Sequence, residues 1–174
     1  MSCSRKFLAL LAVFGLFAEL IEGGCPKGFE GVEGRCMKML TNPQTAEEAY
    51  TACSNLNANL AIVNTMPFVN SLNNYLNKNF TGKCTGSVYG FWTAGRRKDK
   101  TKTFYWNTAK PSIYAFNTCD CGKVANILNW ASGQPDDYMS NEDCVHMYSV
   151  DGKLIANDFP CSNKVCALCQ AEEI

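Results

Sequence analysis

Ten cysteines spread from Cys25 to Cys169 constrain this chain more than any other feature, because of what precedes them. Arg5 and Lys6 are followed by eleven consecutive apolar or glycine residues, Phe7 to Phe17, and then by small residues at Gly23 and Gly24. Basic start, apolar middle and small-residue end make a secretory signal peptide over residues 1–24. The apolar run falls short of the about 20 residues a membrane helix needs; the other reading is a buried N-terminal helix. Export places the remaining cysteines in an oxidising compartment, where an even number implies disulfides. Cys3 leaves with the leader. Cys166 and Cys169 form a C-x-x-C spacing, but no second such pair and no thioredoxin-like context supports zinc or redox chemistry.

The length of 174 residues suits one domain behind a targeting segment, residues 25–174, with no internal repeat and no linker. Sixteen Lys+Arg balance sixteen Asp+Glu. A formal charge of zero gives no general attraction to nucleic acid or to an anionic membrane. The single histidine, His146, excludes His-rich metal sites. Without a nucleophile elbow or a phosphate loop, nothing proposes an enzyme.

Local patterns predict the elements. Residues 25–39 read as a short hairpin punctuated by glycines, and Pro43 as a turn. Thr45-Ala46-Glu47-Glu48 fits a capping box, and Ala46, Ala49, Cys53, Leu56 and Leu60 recur at helical spacing, predicting a helix over 45–57. A second helix is expected over 65–78, with Phe68, Leu72, Tyr75 and Leu76 on one face. Short strands are expected at 89–94, 103–106, 144–150, 153–156 and 165–170. Between Trp106 and Cys144 lies a long loop, usually a functional feature in a compact domain. Helices followed by strands indicate a single α+β domain.

Side-chain oxygen concentrates late in the chain, in Gln134-Pro135-Asp136-Asp137, Asn141-Glu142-Asp143 and Asn157-Asp158. Calcium is a hard cation that takes about six to eight oxygen ligands. Gln134, Asp136, Glu142, Asn157 and Asp158 would supply most of them with three formal negative charges. The spacing is not that of an EF-hand. Alone, each piece reads as a solvated acidic loop.

Together, and in this order along the chain, the pieces resemble a C-type lectin domain from about Cys25 to Ala171. Phe91-Trp92-Thr93-Ala94-Gly95 is similar to the family's core strand, and Trp130 precedes Gln-Pro-Asp at the expected distance. The resemblance implies the C-type lectin fold: two helices flanking small antiparallel sheets, with a long calcium- and sugar-binding loop. It implies disulfides Cys25–Cys36, Cys53–Cys169 and Cys144–Cys161. It implies a cis X-Pro bond in the motif, which proline makes inexpensive. A calcium ion would be ligated by Gln134, Asp136, Glu142, Asn157 and Asp158, and a sugar would replace water on it through two vicinal hydroxyls. Glu-Pro-Asn resembles the mannose-type arrangement and Gln-Pro-Asp the galactose type. Gln134, Asp136, Tyr138, Glu142 and Asn157 would touch a galactose or N-acetylgalactosamine, with Tyr138 stacking on its apolar face. Where relatives carry Trp-Asn-Asp, this chain has Ala156-Asn157-Asp158. Acidic residues of an auxiliary calcium site are replaced by Arg96-Arg97-Lys98-Asp99-Lys100, although Asp137 and Asp143 are retained.

Four cysteines, Cys84, Cys119, Cys121 and Cys166, lie outside the implied pairs, and their three possible pairings stay open. The basic run over residues 96–102 reads as a solvated hairpin or as a contact for acidic glycans. Asn79-Phe80-Thr81 is an N-glycosylation sequon. The expected protein is a secreted calcium-dependent lectin for galactose-type glycans, microbial surface polysaccharides among them, gaining avidity as a homo-oligomer or on clustered ligands. The alternative is an interaction module that keeps the fold but reads protein or mineral surfaces without calcium-dependent sugar recognition.

Overall fold

The structure, a computed structural model, describes residues 24–80, 82, 84, 90–107 and 129–172. The leader over 1–23 and Cys119 and Cys121 lie outside the described residues, as does the start of the strand expected at Tyr89.

The first helix begins where its capping box says it should. The Glu48 N–H donates to Thr45 Oγ1 at 3.2 Å and the Thr45 N–H to Glu48 Oε2 at 2.8 Å. Helix α1 runs Ala46–Ser54 and buries Ala46, Ala49, Tyr50 and Cys53. It stops short of the expected Asn57, because Asn57 takes a left-handed φ of 54°. Leu60, assigned by periodicity to that helix, lies instead in the short strand β3, Asn59–Leu60, opposite Cys169. Helix α2, Met66–Asn79, is capped by Thr65, whose Oγ1 accepts from the Phe68 N–H, and buries Phe68, Val69 and Leu72.

The other strands are β1 (Glu30–Val32), β2 (Arg35–Gln44), β4 (Phe91–Arg97), β5 (Phe104–Trp106), β6 (Cys144–Val150), β7 (Lys153–Phe159) and β8 (Val165–Ala171). They are ordered β1-β2-β8-β4-β6-β7, with β3 on β8 and β5 on β4. All neighbours run antiparallel except β4 and β8, where Phe91 pairs with Cys166 and Trp92 with Ala167. That parallel seam joins the hairpins into one mixed sheet. Gly90, just before β4, lets β6 come close: its φ is +140°, and a Cβ there would lie 2.6 Å from the Met147 carbonyl oxygen. Pro43 is not a turn. It sits inside β2, where the pairing with β8 skips between Leu40 and Gln44, so the missing N–H costs no ladder bond.

Helix α1 packs on β8 and β3, and α2 on β1 and β7. Trp92 of β4 is fully buried beside the His146 and Phe159 rings and donates its Nε1–H to the Gln44 carbonyl at 2.8 Å. The three pairs implied by resemblance are present: Cys25–Cys36, Cys53–Cys169 and Cys144–Cys161. A fourth joins Cys84 to Cys166, closing one of the open pairings. The C-x-x-C is thereby split between two bridges. An odd separation along a strand sends the two side chains to opposite faces, so Cys166 and Cys169 cannot meet.

Candidate binding site on the long loop

Three elements converge on the acidic residues. Strand β7 brings Asn157 and Asp158, paired in register with His146 and Val145 of β6. Strand β4 ends at Arg97, and the loop from Trp130 to Asp143 carries the rest. The start of that loop is tied to β7 by its backbone. Trp130 bridges Ala156, the Ala131 N–H donates to the Ala156 carbonyl at 2.8 Å, and the Ala156 N–H to the Asn129 carbonyl at 2.9 Å. Ala156 is fully buried at this junction. The anchoring therefore does not need an aromatic side chain at that position.

Beyond it, the Gln134–Pro135 bond is cis, as the resemblance implied. The loop then folds onto its own carboxylates. The Asp136 N–H donates to Gln134 Oε1 at 3.0 Å and to Asp158 Oδ1 at 3.2 Å. The Asp137 N–H donates to Asp158 Oδ2 at 2.9 Å and the Tyr138 N–H to Glu142 Oε2 at 3.1 Å. The Glu142 N–H returns to Asp137 Oδ1 at 3.1 Å. A 3₁₀ turn over Tyr138–Ser140 closes the circuit, with Asp137, Met139 and Ser140 all left-handed.

The result is a cluster in which Asp136, Glu142 and Asp158 each offer a carboxylate oxygen within 4.8 Å of the others. Asp158 is fully buried, Glu142 nearly so, and Asp136 exposed. Burial raises the Glu142 carboxyl to about 7; Asp158 and Asp136 push the same way, against the lowering effect of the Tyr138 N–H. Three carboxylates this close call for a proton or a cation, and an all-oxygen donor set suits a hard divalent ion.

Gln134 lies in the same circuit, its Oε1 engaged by the Asp136 N–H. Asn157 Oδ1 is buried and has no hydrogen-bond partner among the described residues. Tyr138 stands at 62% exposure on the rim, beside Met139, which is more exposed still. Asn79 is half-buried at the last position of α2.

The residue that sequence reasoning missed is Arg97. By sequence it belongs to a solvated basic run, yet its side chain is 2% exposed. Its Nη2 is ion-paired with Asp158 and lies 3.9 Å from Asp137 Oδ1, and its Nε lies 3.6 Å from Asp143 Oδ1. The available signal was its place at the end of an otherwise buried strand in a chain rich in acidic loop residues. Lys98, Asp99, Lys100 and Lys102, by contrast, are exposed as expected.

A family model described as the lectin C-type domain matches residues 42–171. The chain belongs to the C-type lectin family. Among curated relatives, the C-type lectin lectoxin-Enh5 of Pseudoferania polylepis is 27% identical over 165 residues, covering 94% of this chain and 93% of the relative. Among solved structures, human lithostathine superimposes with a TM-score of 0.65 at 19% identity, over 85% of this chain and 99% of that one. A calcium-independent type II antifreeze protein gives 0.62 at 18% identity, over 87% of this chain and 97% of that one. These two likenesses carry the fold alone. As a C-type lectin the protein is a binding protein and not an enzyme, and its acidic cluster lies where the long loop meets β7.

Proposed function

We propose that this C-type lectin is secreted and binds galactose-type sugars through a calcium ion held by the long loop. The observation that carries the reading is the convergence of Asp136, Glu142 and Asp158 within 4.8 Å, with burial and like charge holding Glu142 at about 7. Such a cluster lowers its energy by taking up a divalent cation. Gln134 and Asn157 complete the ligand set. Gln134 is already within the loop's hydrogen-bond circuit, and the buried, unpartnered Asn157 oxygen is a polar atom in need of a partner. When bound, the ion would supply the Lewis-acidic centre on which two vicinal hydroxyls exchange for water. The Gln-Pro-Asp order favours the equatorial 3-OH and axial 4-OH of galactose. The exposed Tyr138 ring offers a face for that sugar's apolar side.

Secretion is supported by four disulfides among the described residues, and residues 1–24 are the segment we assign to export, leaving 25–174 as the lectin domain. A single shallow site binds weakly, so use against clustered glycans such as microbial polysaccharides requires multivalency. Asn79 is the proposed glycan attachment point.

One observation favours a second reading. Both Asp158 oxygens already accept loop N–H groups, and Oδ2 is ion-paired with Arg97 as well. A carboxylate so engaged has less to offer a metal, as in an interaction module that binds without calcium. Retention on immobilised galactose separates the two. The lectin reading expects retention in calcium, release by chelator, and a shift toward mannose in the Gln134→Glu, Asp136→Asn double variant. Retention that survives chelator supports the second reading. An unchanged sugar profile in the double variant removes the galactose assignment.

A further inference from the structure

We propose that Arg97 is a built-in cation that holds the loop over residues 134–143 in the conformation that brings Asp136, Glu142 and Asp158 together, without any metal, which makes it a positioning residue for the site. The inference needs neither calcium nor sugar to bind, so it stands or falls apart from the reading above.

Every nitrogen of the Arg97 guanidinium is engaged, and Nε is engaged by the loop itself. Nε donates to the Glu142 carbonyl at 3.1 Å and Nη1 to the Thr101 carbonyl at 2.7 Å, while Nη2 donates to Asp158 Oδ2. Its backbone N–H donates to the Asp143 carbonyl at 2.8 Å. Its Cζ lies 4.7 Å from the centre of the Phe104 ring, which covers one face of the planar group. A guanidinium cannot shed its proton at any ordinary pH. A buried one must therefore be neutralised by carboxylates, and it gathers three: Asp137 and Asp143 from the loop and Asp158 from β7. Lys100 secures the same loop from outside, with Nζ 3.3 Å from Asp143 Oδ2 and 3.2 Å from the Ser140 carbonyl.

Asp158 transmits the effect. Fixed by Arg97, its two oxygens accept the N–H groups of Asp136 and Asp137 at the point where the loop presents Asp136. Without the guanidinium, Asp158 would be a fully buried carboxylate with no counter-charge. The loop would have to open to hydrate it. Arginine rather than lysine suits this position, because three separate nitrogens reach a carboxylate and two carbonyls that one ammonium nitrogen would have to reach from a single point.

The test is amide hydrogen exchange, followed by NMR on the secreted full chain in EDTA, for the wild type, Arg97→Gln and Arg97→Lys. Wild-type amides of Asp136, Asp137, Tyr138 and Glu142 are expected to stay protected in chelator. In Arg97→Gln they should exchange at least about tenfold faster, since a hydrogen bond to a charged buried group is lost. Arg97→Lys should fall between. The Ala61 N–H, which donates to the Leu168 carbonyl in the sheet, serves as the internal standard. A merely structural role would accelerate Ala61 by the same factor, and that outcome overturns the proposal. So does a wild-type loop that opens in EDTA, or an Arg97→Gln loop that stays closed. If Arg97→Gln fails to fold, Arg97→Lys decides: its loop amides should exchange faster than the wild type's relative to Ala61, and a loop no faster than Ala61 overturns the proposal.

Discussion

His146 shows how far a single residue can depart from what its chemistry would ordinarily allow. The ring is 2% exposed, stacked on Phe159 with centroids 4.4 Å apart, and flanked by Trp92 and Tyr148. Neither ring nitrogen has a hydrogen-bond partner among the described residues. Burial accordingly lowers its pKa from 6.5 to about 4. The folded state binds the neutral form, whereas the unfolded chain takes up a proton below about 6.5. This contribution is therefore full above pH 6.5 and is lost as the pH falls toward 4, by up to about 3 kcal/mol. The expected outcome is that wild type loses that much more stability between pH 7 and pH 4 than His146→Leu, measured by urea midpoints. Parallel curves would show that the imidazole titrates elsewhere than in this packing.

Elements in this chain start where local chemistry says and end where tertiary packing says. The Thr45–Glu48 box opens α1 with both reciprocal bonds formed, and no other element need be present for that. Thr45→Ala should cost about 1 kcal/mol, seen as a fall of about 2–4 °C in the melting temperature of the oxidised protein. No change would mean that packing against β8 alone holds the first turn. The Glu48 carboxylate is held below its usual range first by the Thr45 N–H, so the cap is intact above the unfolded-state value and weakens as acid protonates it. The other end of α1 is different. Apolar spacing runs on to Leu60, but β8 takes Leu60 into the sheet and Asn57 turns the chain to permit it.

Across the whole molecule, the bridges differ by the length of chain they close. Cys53–Cys169 spans 116 residues and ties α1 to the last strand, while Cys25–Cys36 spans 11 within one hairpin. Chain entropy assigns them about 5 and about 3 kcal/mol. Replacing both cysteines of the long bridge by serine should thus lower stability by about 2 kcal/mol more than the same change at the short one, in matched denaturant melts. Equal losses would indicate that native packing, not loop closure, sets their worth. The long bridge also pins β8, which pairs with β2, β3 and β4 and so links the two halves of the sheet.

Much of this was legible in order of residues alone. The capping box, the α2 face, the α1 face as far as Cys53, the strands at 144–150 and 165–170, three disulfides and the acidic motif all rest on spacing or on ordered matches to one family. The parallel seam of β4 with β8 could not be read, because nothing in either strand names its partner; Gly90 matters only once Met147 is beside it. The Cys84–Cys166 pair needed both ends brought within bonding distance. Arg97 is the sharpest case. A basic residue amid basic neighbours masks the one sign of burial, its apolar strand, and only the approach of β7 and the long loop surrounds it with Asp137, Asp143 and Asp158. Local preferences act between neighbours in the chain, whereas charge pairing and register act between segments that folding alone brings together.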